Sequence, residues 1–96
     1  MDILVTYDIR TTDSQGERRL ARVAGICERY GLRVQYSVFE CRVSELSLER
    51  LLGELDHTIE STEDSVNIYR MPGTIASLRI TLGRLSGRQI GQPWIL

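Results

Sequence analysis

The sequence contains no lysine, one histidine and two cysteines, and these shortages limit the chemistry available to the protein. All twelve basic residues are arginines, a bias that GC-rich coding produces and that also suits bidentate contacts with phosphate. Cys27 and Cys41 lie fourteen residues apart, a spacing that matches no metal-binding or redox motif. We therefore expect both cysteines to be small core residues in a reducing compartment.

Long apolar runs are also missing. No stretch approaches the roughly 18 apolar residues of a membrane span, and the opening Met-Asp-Ile-Leu-Val lacks the basic segment that begins a signal peptide. We expect a cytoplasmic protein that does not enter a membrane. With 96 residues, 42% of them hydrophobic and 26% charged, the chain is expected to form a single domain over 1–96 with one two-layer core.

The charges are unevenly distributed along the chain. Residues 1–39 have a net charge of +1, residues 40–64 of −6 and residues 65–96 of +4. Such blocks predict a polarised surface with one acidic helix and a basic tail. An acidic helix that only faces solvent explains the central block equally well.

The segment Ile3–Arg10 has the alternation of a β-strand. Its odd-numbered residues are β-branched or aromatic, whereas its even-numbered residues become more polar toward Asp8 and Arg10. A carboxylate and a guanidinium therefore stand at the tip of a strand that is otherwise suited to burial. Either a strand end that meets solvent or a functional site explains them.

A helix is predicted after this strand, beginning near residue 15. Apolar residues recur at intervals of three and four from Leu20 to Tyr30, and Ser14 and Glu17 have the spacing of a capping box. Gly31 suits the residue that follows a helix C-terminus. The helix start is basic, and its arginines oppose the helix dipole, so local stability does not explain them, whereas a phosphate partner would.

Residues 32–43 alternate over twelve positions, longer than an ordinary strand. They form either one long strand or two strands bent near Tyr36 and Ser37. No Asn-Gly or Asp-Gly marks a bend, so the pattern alone favours one strand.

The second half of the chain predicts a further helix and two strands. Ser44 is expected to cap the helix, and His57 is expected to be exposed because it lies off the apolar stripe. That stripe comprises Leu48, Leu51, Leu52, Leu55 and Ile59. Residues 64–70 alternate as a strand, and Leu78, Ile80 and Leu82 indicate another. The apolar terminus Trp94, Ile95 and Leu96 is expected to dock on its own core or on another subunit.

The order strand, helix, one or two strands, helix, strand predicts an α+β, ferredoxin-like βαββαβ sandwich with an antiparallel sheet. Two helices would cover one face of the sheet and leave the other face for a partner. If the helices cover the side of Ile3 and Val5, then Leu4, Thr6 and Asp8 line the uncovered face.

Four phrases in this order resemble one known family, the CRISPR-associated Cas2 family, a small protein of the spacer-acquisition complex. The phrases are Thr6-Tyr7-Asp8-Ile9, Gly16-Glu17-Arg18-Arg19-Leu20, Tyr30-Gly31-Leu32-Arg33-Val34-Gln35-Tyr36-Ser37-Val38-Phe39-Glu40 and Glu63-Asp64-Ser65-Val66-Asn67-Ile68-Tyr69. The resemblance covers residues 1–70 closely and implies a core there. It implies that residues 71–96 form a dimerisation tail, whose last strand crosses to the partner's sheet in a homodimer.

The resemblance also implies the site residues. Asp8 matches the strand-end aspartate that meets its copy across the dimer axis and holds a divalent metal, usually Mg²⁺. Tyr7 would share the catalytic site, and Arg10 is placed to reach a phosphate by its position alone. The expected nucleic-acid-binding residues are Arg10, Arg18, Arg19 and Arg33, and the expected supporting residues are Phe39, Gln35 and Ser37.

Two functions follow from the resemblance. One is a Mg²⁺-dependent endonuclease that cuts RNA or DNA, expected to be weak because no histidine accompanies Asp8 as a general base. The other is a dimeric scaffold that bridges two dimers of the CRISPR integrase and lies along captured DNA, with sequence-independent arginine contacts. We expect the scaffold role in the cell, with intrinsic nuclease activity in addition. The alternatives are a toxin-type endoribonuclease of the virulence-associated D group and a non-enzymatic ligand-binding regulatory domain on the same fold.

Overall fold

A four-stranded antiparallel sheet with helices against one face is the centre of the fold. The computed structural model describes residues 1–84 and the backbone of residues 94–95. The sheet order β2-β3-β1-β4 arises because β1 pairs antiparallel with both β3 and β4, which confirms the ferredoxin-like arrangement. The elements are β1 (Asp2–Asp8), α1 (Ser14–Glu28), β2 (Gly31–Gln35), β3 (Val38–Arg42), α2 (Glu45–Thr58) and β4 (Ser65–Arg70).

The helices cover one face of the sheet. Among the described residues the other, called the open face, is covered only where Arg79 pairs with the buried Glu40 and the Ile75 amide donates to the buried Asp2, and it is exposed at its Asp8 end. On β1 the side chains of Ile3 and Val5 are fully buried in a core shared with α1 and α2, whereas Asp8 is exposed. Successive residues of a strand point to opposite faces, so Leu4 and Thr6 lie with Asp8 on the open face. The alternation in the sequence predicted this division.

Both cysteines belong to the core, as expected. Cys27 on α1 and Cys41 on β3 have no exposed surface. Burial raises the pKa of the Cys27 thiol to about 12 and that of Cys41 to about 11. Thiols that remain protonated at neutral pH behave as small hydrophobic groups.

Of the two alternatives for residues 32–43, the two strands bent near Tyr36 and Ser37 are confirmed, because a tight turn at these residues joins β2 to β3. The single strand that the alternation alone favoured is wrong. Neither turn residue has a positive φ, so the turn does not need the Asn-Gly or Asp-Gly that marks the commonest hairpins. The pairing of β2 with β3 instead contains a shift in register between Arg33 and Gln35.

The predicted cap of α1 is displaced by one residue. Asp13 is the N-cap, and its carboxylate accepts a 2.8 Å hydrogen bond from the Gly16 amide, so Ser14 lies inside the helix. Aspartate and serine are comparable as caps, which is why the sequence did not separate them. Ser44 caps α2 as predicted, with its side chain accepting from the Ser47 amide.

Two predictions about the α2 surface have different outcomes. Leu48, Leu51 and Leu55 are buried as expected, but Leu52 is 44% exposed and lies at the margin of the apolar stripe. His57 is exposed, as expected.

The tail differs from the predicted strand over Leu78, Ile80 and Leu82. A short helix α3 (Ile75–Leu78), capped by Thr74, contains Leu78, and only Ile80 continues into a strand. That strand, β5 (Ile80–Thr81), pairs in parallel with β6 (Trp94–Ile95). The predicted docking of the terminal side chains lies outside the described residues, as do residues 85–93. Within the described residues, no helix is long and apolar enough to cross a bilayer.

Gly31 does not end α1 as the sequence indicated; it is the first residue of β2 and lies against β3. A Cβ atom at this position would be 2.2 Å from the Glu40 carbonyl oxygen and 2.8 Å from the Cys41 Cα atom. The close approach of two backbones therefore explains this glycine.

We expect Gly31→Ala to lower the free energy of unfolding by about 1–3 kcal/mol, because the backbone of β3 has to move to admit the methyl group. Gly25→Ala is the matched control: its Cβ would meet nothing within 4 Å on an exposed turn of α1, and alanine is the better helix former by up to about 1 kcal/mol. Urea denaturation at one fixed protein concentration measures both. Equal stability of the two variants would contradict the close approach.

Candidate metal and nucleic-acid site

Asp8 is the last residue of β1 and lies on the open face of the sheet, opposite Ser65 of β4. Its side chain is exposed. Within the described part of the chain, the carboxylate forms no ion pair or hydrogen bond. A carboxylate that nothing in the described part of its own protomer neutralises is available for a ligand.

The donor set around Asp8 is small. Among residues 1–84, no group of three or more histidine, cysteine, aspartate or glutamate side chains is placed to hold a metal ion. Mg²⁺ is commonly bound through one or two carboxylates, with waters and substrate phosphates as its other ligands. Asp8 therefore fits a hydrated Mg²⁺ whose remaining ligands come from water, from substrate or from a second copy of the chain.

Tyr7 points to the opposite side of β1 from Asp8 and is 6% exposed. Its hydroxyl donates to the Tyr36 carbonyl oxygen at 3.3 Å, and its ring stacks on Phe39 with centroids 6.2 Å apart. Burial raises the pKa of the Tyr7 phenol despite a hydrogen bond from Arg33. In this position Tyr7 braces the strand end from the core side; its catalytic assignment stays a prediction.

Phe39 and Arg33 complete this bracing group. Phe39 is fully buried. The Arg33 guanidinium carbon lies 5.2 Å from the Phe39 ring centroid and 5.7 Å from that of Tyr36, and its side chain is 40% exposed. Arg33 thus contacts two aromatic rings while part of its guanidinium faces solvent.

The other two supporting residues flank the hairpin turn. Gln35 is exposed on β2 opposite Val38, and Ser37 is half-buried. The Ser37 carbonyl oxygen accepts from the Tyr7 amide at 3.2 Å. This hydrogen bond ties the hairpin turn to the end of β1 that carries Asp8.

The three arginines expected near the strand end have different surroundings. Arg18 is exposed and forms no ion pair within the described residues. Arg10 is 57% exposed, with its guanidinium 3.6 Å from the Glu63 carboxylate. Arg19 is only 15% exposed, and its Nε donates to Asp64 at 2.8 Å. The geometry therefore leaves Arg18 and Arg10 available to a phosphate and gives Arg19 a structural partner.

Asp64 belongs to this site, although the sequence pattern did not single it out. Its side chain has no exposed surface, and it accepts hydrogen bonds from Arg19 on α1, from the Arg10 amide after β1 and from the Glu60 amide. Burial acts to raise the pKa of Asp64, but these hydrogen bonds outweigh it and hold the pKa below its usual value. The signal was present in the phrase Glu63-Asp64-Ser65, where a carboxylate directly precedes a strand.

Gly16 brings the start of α1 to the same place. A Cβ atom there would be 1.9 Å from the Arg10 carbonyl oxygen, so only glycine admits the helix this close to the segment after β1. The strand end, the start of α1 and the turn before β4 are thereby held together around Asp64.

A comparison with known protein families identifies the chain. The family described as CRISPR associated protein Cas2 matches residues 1–75. The chain belongs to the Cas2 family. The match includes every residue assigned above to the site, and it favours this family over the toxin-type and regulatory alternatives.

Several curated Cas2 proteins are similar to the chain. CRISPR-associated endoribonuclease Cas2 1 of Moorella thermoacetica is 46% identical over 71 residues, 74% of each protein. CRISPR-associated endonuclease Cas2 of Halalkalibacterium halodurans is also 46% identical over 71 residues, 74% of each. CRISPR-associated endoribonuclease Cas2 4 of Rhodospirillum rubrum is 33% identical over 93 residues, which cover 97% of this chain and 71% of that protein.

Solved structures agree with this assignment. The crystal structure of Streptococcus pyogenes Cas2 matches with a TM-score of 0.70 at 41% sequence identity. The match covers 74% of this chain and 86% of that one. A hypothetical protein from Thermus thermophilus has a TM-score of 0.65 at 35% identity, with 75% of this chain and 82% of that one covered. The Cas2 fold extends through the core of the chain.

We expect Asp64→Asn to lower the free energy of unfolding by about 3 kcal/mol, because it leaves the Arg19 guanidinium without its buried counter-charge. Glu63→Gln is the matched control: Glu63 lies 3.4 Å from the same arginine but is 35% exposed, so the cost should stay below about 1 kcal/mol. Equal destabilisation of the two variants in urea would contradict the structural role of Asp64.

The Asp64–Arg19 ion pair also predicts how the free energy of unfolding depends on pH in the acid range. The pKa of Asp64 in the folded state lies below the ordinary value of 3.8, so its stabilising contribution is present above about pH 4 and is lost as the pH falls through the lowered pKa. Asp64→Asn should lose less stability than the wild type between about pH 5 and pH 2. Parallel stability curves for the two proteins would contradict this assignment.

Proposed function

We propose that the protein is a dimeric nucleic-acid-binding component of CRISPR spacer acquisition that carries a Mg²⁺-dependent endonuclease site at Asp8. The observation behind this proposal is an exposed carboxylate at the end of β1, on the open face of the sheet, without a partner in the described part of its own protomer. The nuclease class is supported by the names of the relatives, which are endoribonucleases or an endonuclease.

The dimer is supported by apolar surface on and beside the open face. Tyr69 of β4 is 52% exposed, Ile80 is 67% exposed and Leu82 is 75% exposed. Clustered apolar side chains in water indicate a partner surface. A second copy that pairs its open face with this one would bring two Asp8 carboxylates to one axis and supply a further ligand to the cation.

The residues of the chain have different roles at this site. Asp8 would hold the cation, and Tyr7 with Phe39 keeps the strand end fixed from the core side. Mg²⁺ bound there supplies Lewis-acid stabilisation of a phosphate and lowers the pKa of a bound water. The single histidine, His57, is exposed on α2 and not beside Asp8, so no imidazole accompanies the carboxylate as a general base and slow turnover is expected.

The scaffold role uses the exposed arginines. Arg10 follows the end of β1 and Arg18 lies near the start of α1, and neither has a buried counter-charge, which suits sequence-independent contacts with a phosphate backbone. In this role the homodimer bridges two dimers of the CRISPR integrase and lies along DNA in the cytoplasm, with RNA as a second substrate. The small donor set at Asp8 favours the scaffold as the cellular function and cleavage as the accessory one.

For cleavage, we expect Asp8→Asn to abolish Mg²⁺-dependent hydrolysis of labelled RNA and duplex DNA, because it removes the carboxylate proposed to hold the cation. Stability and dimer mass should be unchanged, since the Asp8 side chain is exposed and supports no other part of the described fold. Asp56→Asn, at an exposed position of α2, is the matched control and should retain full activity. Cleavage that survives in Asp8→Asn would exclude Asp8 as the metal ligand.

For binding, we expect Arg18→Ala to weaken duplex binding and to reduce the slope of log affinity against log salt by about 0.9 for each phosphate that the protein no longer neutralises. Arg50→Ala is the control, since Arg50 is exposed on α2, where it lies beside Tyr30 near the far end of α1. Fluorescence anisotropy over a salt series measures both slopes. An unchanged slope in Arg18→Ala would remove Arg18 from the phosphate-binding surface.

A further inference from the structure

We propose that Tyr36 is a stacking platform for an unpaired nucleobase at the end of the sheet that carries Asp8. The inference rests on the proposed function, since it supposes that the protein binds nucleic acid. It assigns to Tyr36 the contact with unpaired bases, which occur in single-stranded segments and at the frayed end of a duplex.

Tyr36 is unusually exposed for an aromatic residue. At the tip of the β2–β3 hairpin its side chain is 76% exposed, more than any other large hydrophobic side chain in the described part of the chain. Its surface is not needed for the fold, because the buried cluster contains Tyr7 and Phe39 but not Tyr36. An aromatic ring held in water at a turn is a surface to which a base can add by stacking.

Tyr7 fixes the backbone of the turn that carries the ring, and Arg33 contacts the ring itself. The Tyr36 carbonyl oxygen accepts from the Tyr7 hydroxyl, and the next carbonyl, that of Ser37, accepts from the Tyr7 amide. The Arg33 guanidinium lies 5.7 Å from the Tyr36 ring centroid. Arg33 is therefore placed to steady the ring by a cation–π contact and to approach the phosphate of a base stacked on it.

The hairpin turn that carries Tyr36 lies at the Asp8 end of the sheet. Strands β1 and β3 are antiparallel with Thr6 opposite Val38, so the hairpin turn and Asp8 lie at the same end of the sheet. A base stacked on Tyr36 would hold its strand at the end of the sheet that carries Asp8, on the side where Arg33 lies over Phe39. Because every base has an aromatic face, such contact requires no particular sequence, as a sequence-independent nuclease or scaffold needs.

The test compares Tyr36→Leu and Tyr36→Phe with the wild type in the presence of EDTA, so that no strand is cut. The probes are a fluorescein-labelled single strand, a blunt duplex of the same sequence, and a single strand that carries one 2-aminopurine. Stacking of a base on an aromatic side chain corresponds to about a tenfold change in affinity. Tyr36→Leu should weaken single-strand binding by about that factor, leave blunt-duplex binding within about twofold, and abolish the quenching of 2-aminopurine.

Tyr36→Phe keeps the ring and should match the wild type in all three measurements, which separates stacking from a hydroxyl contact. Unchanged single-strand affinity and quenching in Tyr36→Leu, with salt-dependent duplex binding intact, would overturn the platform and leave the proposed function standing. A wild type that binds neither probe would overturn both. A changed mass of Tyr36→Leu in sedimentation would assign Tyr36 to a contact between protomers and overturn the platform.

Discussion

The buried Asp64 carboxylate is the interaction on which the geometry of this protein's candidate site depends. It accepts hydrogen bonds from α1 through Arg19, from the segment after β1 through the Arg10 amide, and from the turn before β4 through the Glu60 amide. Moving one segment alone would leave the buried carboxylate incompletely paired, which costs free energy. We therefore expect the three segments to move only together. This coupling fixes the end of β1, and with it the position of Asp8, without any contact between Asp64 and a ligand.

The two faces of the sheet explain why Asp8 is accessible while its neighbours are not. Tyr7 packs into the core with Phe39, and its hydrogen bonds to the hairpin turn hold the strand end in register. One residue later, the alternation of the strand turns Asp8 to the open face. A rigid support on one side and a free carboxylate on the other follow from the same period of two.

How far the sequence predicts this protein can be seen at particular residues. Alternation in β1 and the Ser44 cap depend on local patterns, and both were predicted correctly. The bend at Tyr36 and Ser37 has no turn signal because its backbone avoids positive φ, and Gly31 was misread because its reason is the approach of Glu40, which is close only in the fold. Asp64 was missed for the same cause, since its donors lie up to 54 residues away.

The arginines show why composition overstates the surface available to nucleic acid. In the sequence Arg18 and Arg19 are adjacent and equivalent, yet one is exposed and the other is 15% exposed against Asp64. Other arginines are engaged similarly, Arg42 with the buried Asp2 and Arg29 with Glu54. Guanidinium groups satisfy buried carboxylates through paired, directional hydrogen bonds, so a chain without lysine uses one residue type both to hold its fold together and to meet phosphate. The basic surface near Asp8 is therefore confined to a few side chains, which favours weak, sequence-independent contact over tight recognition.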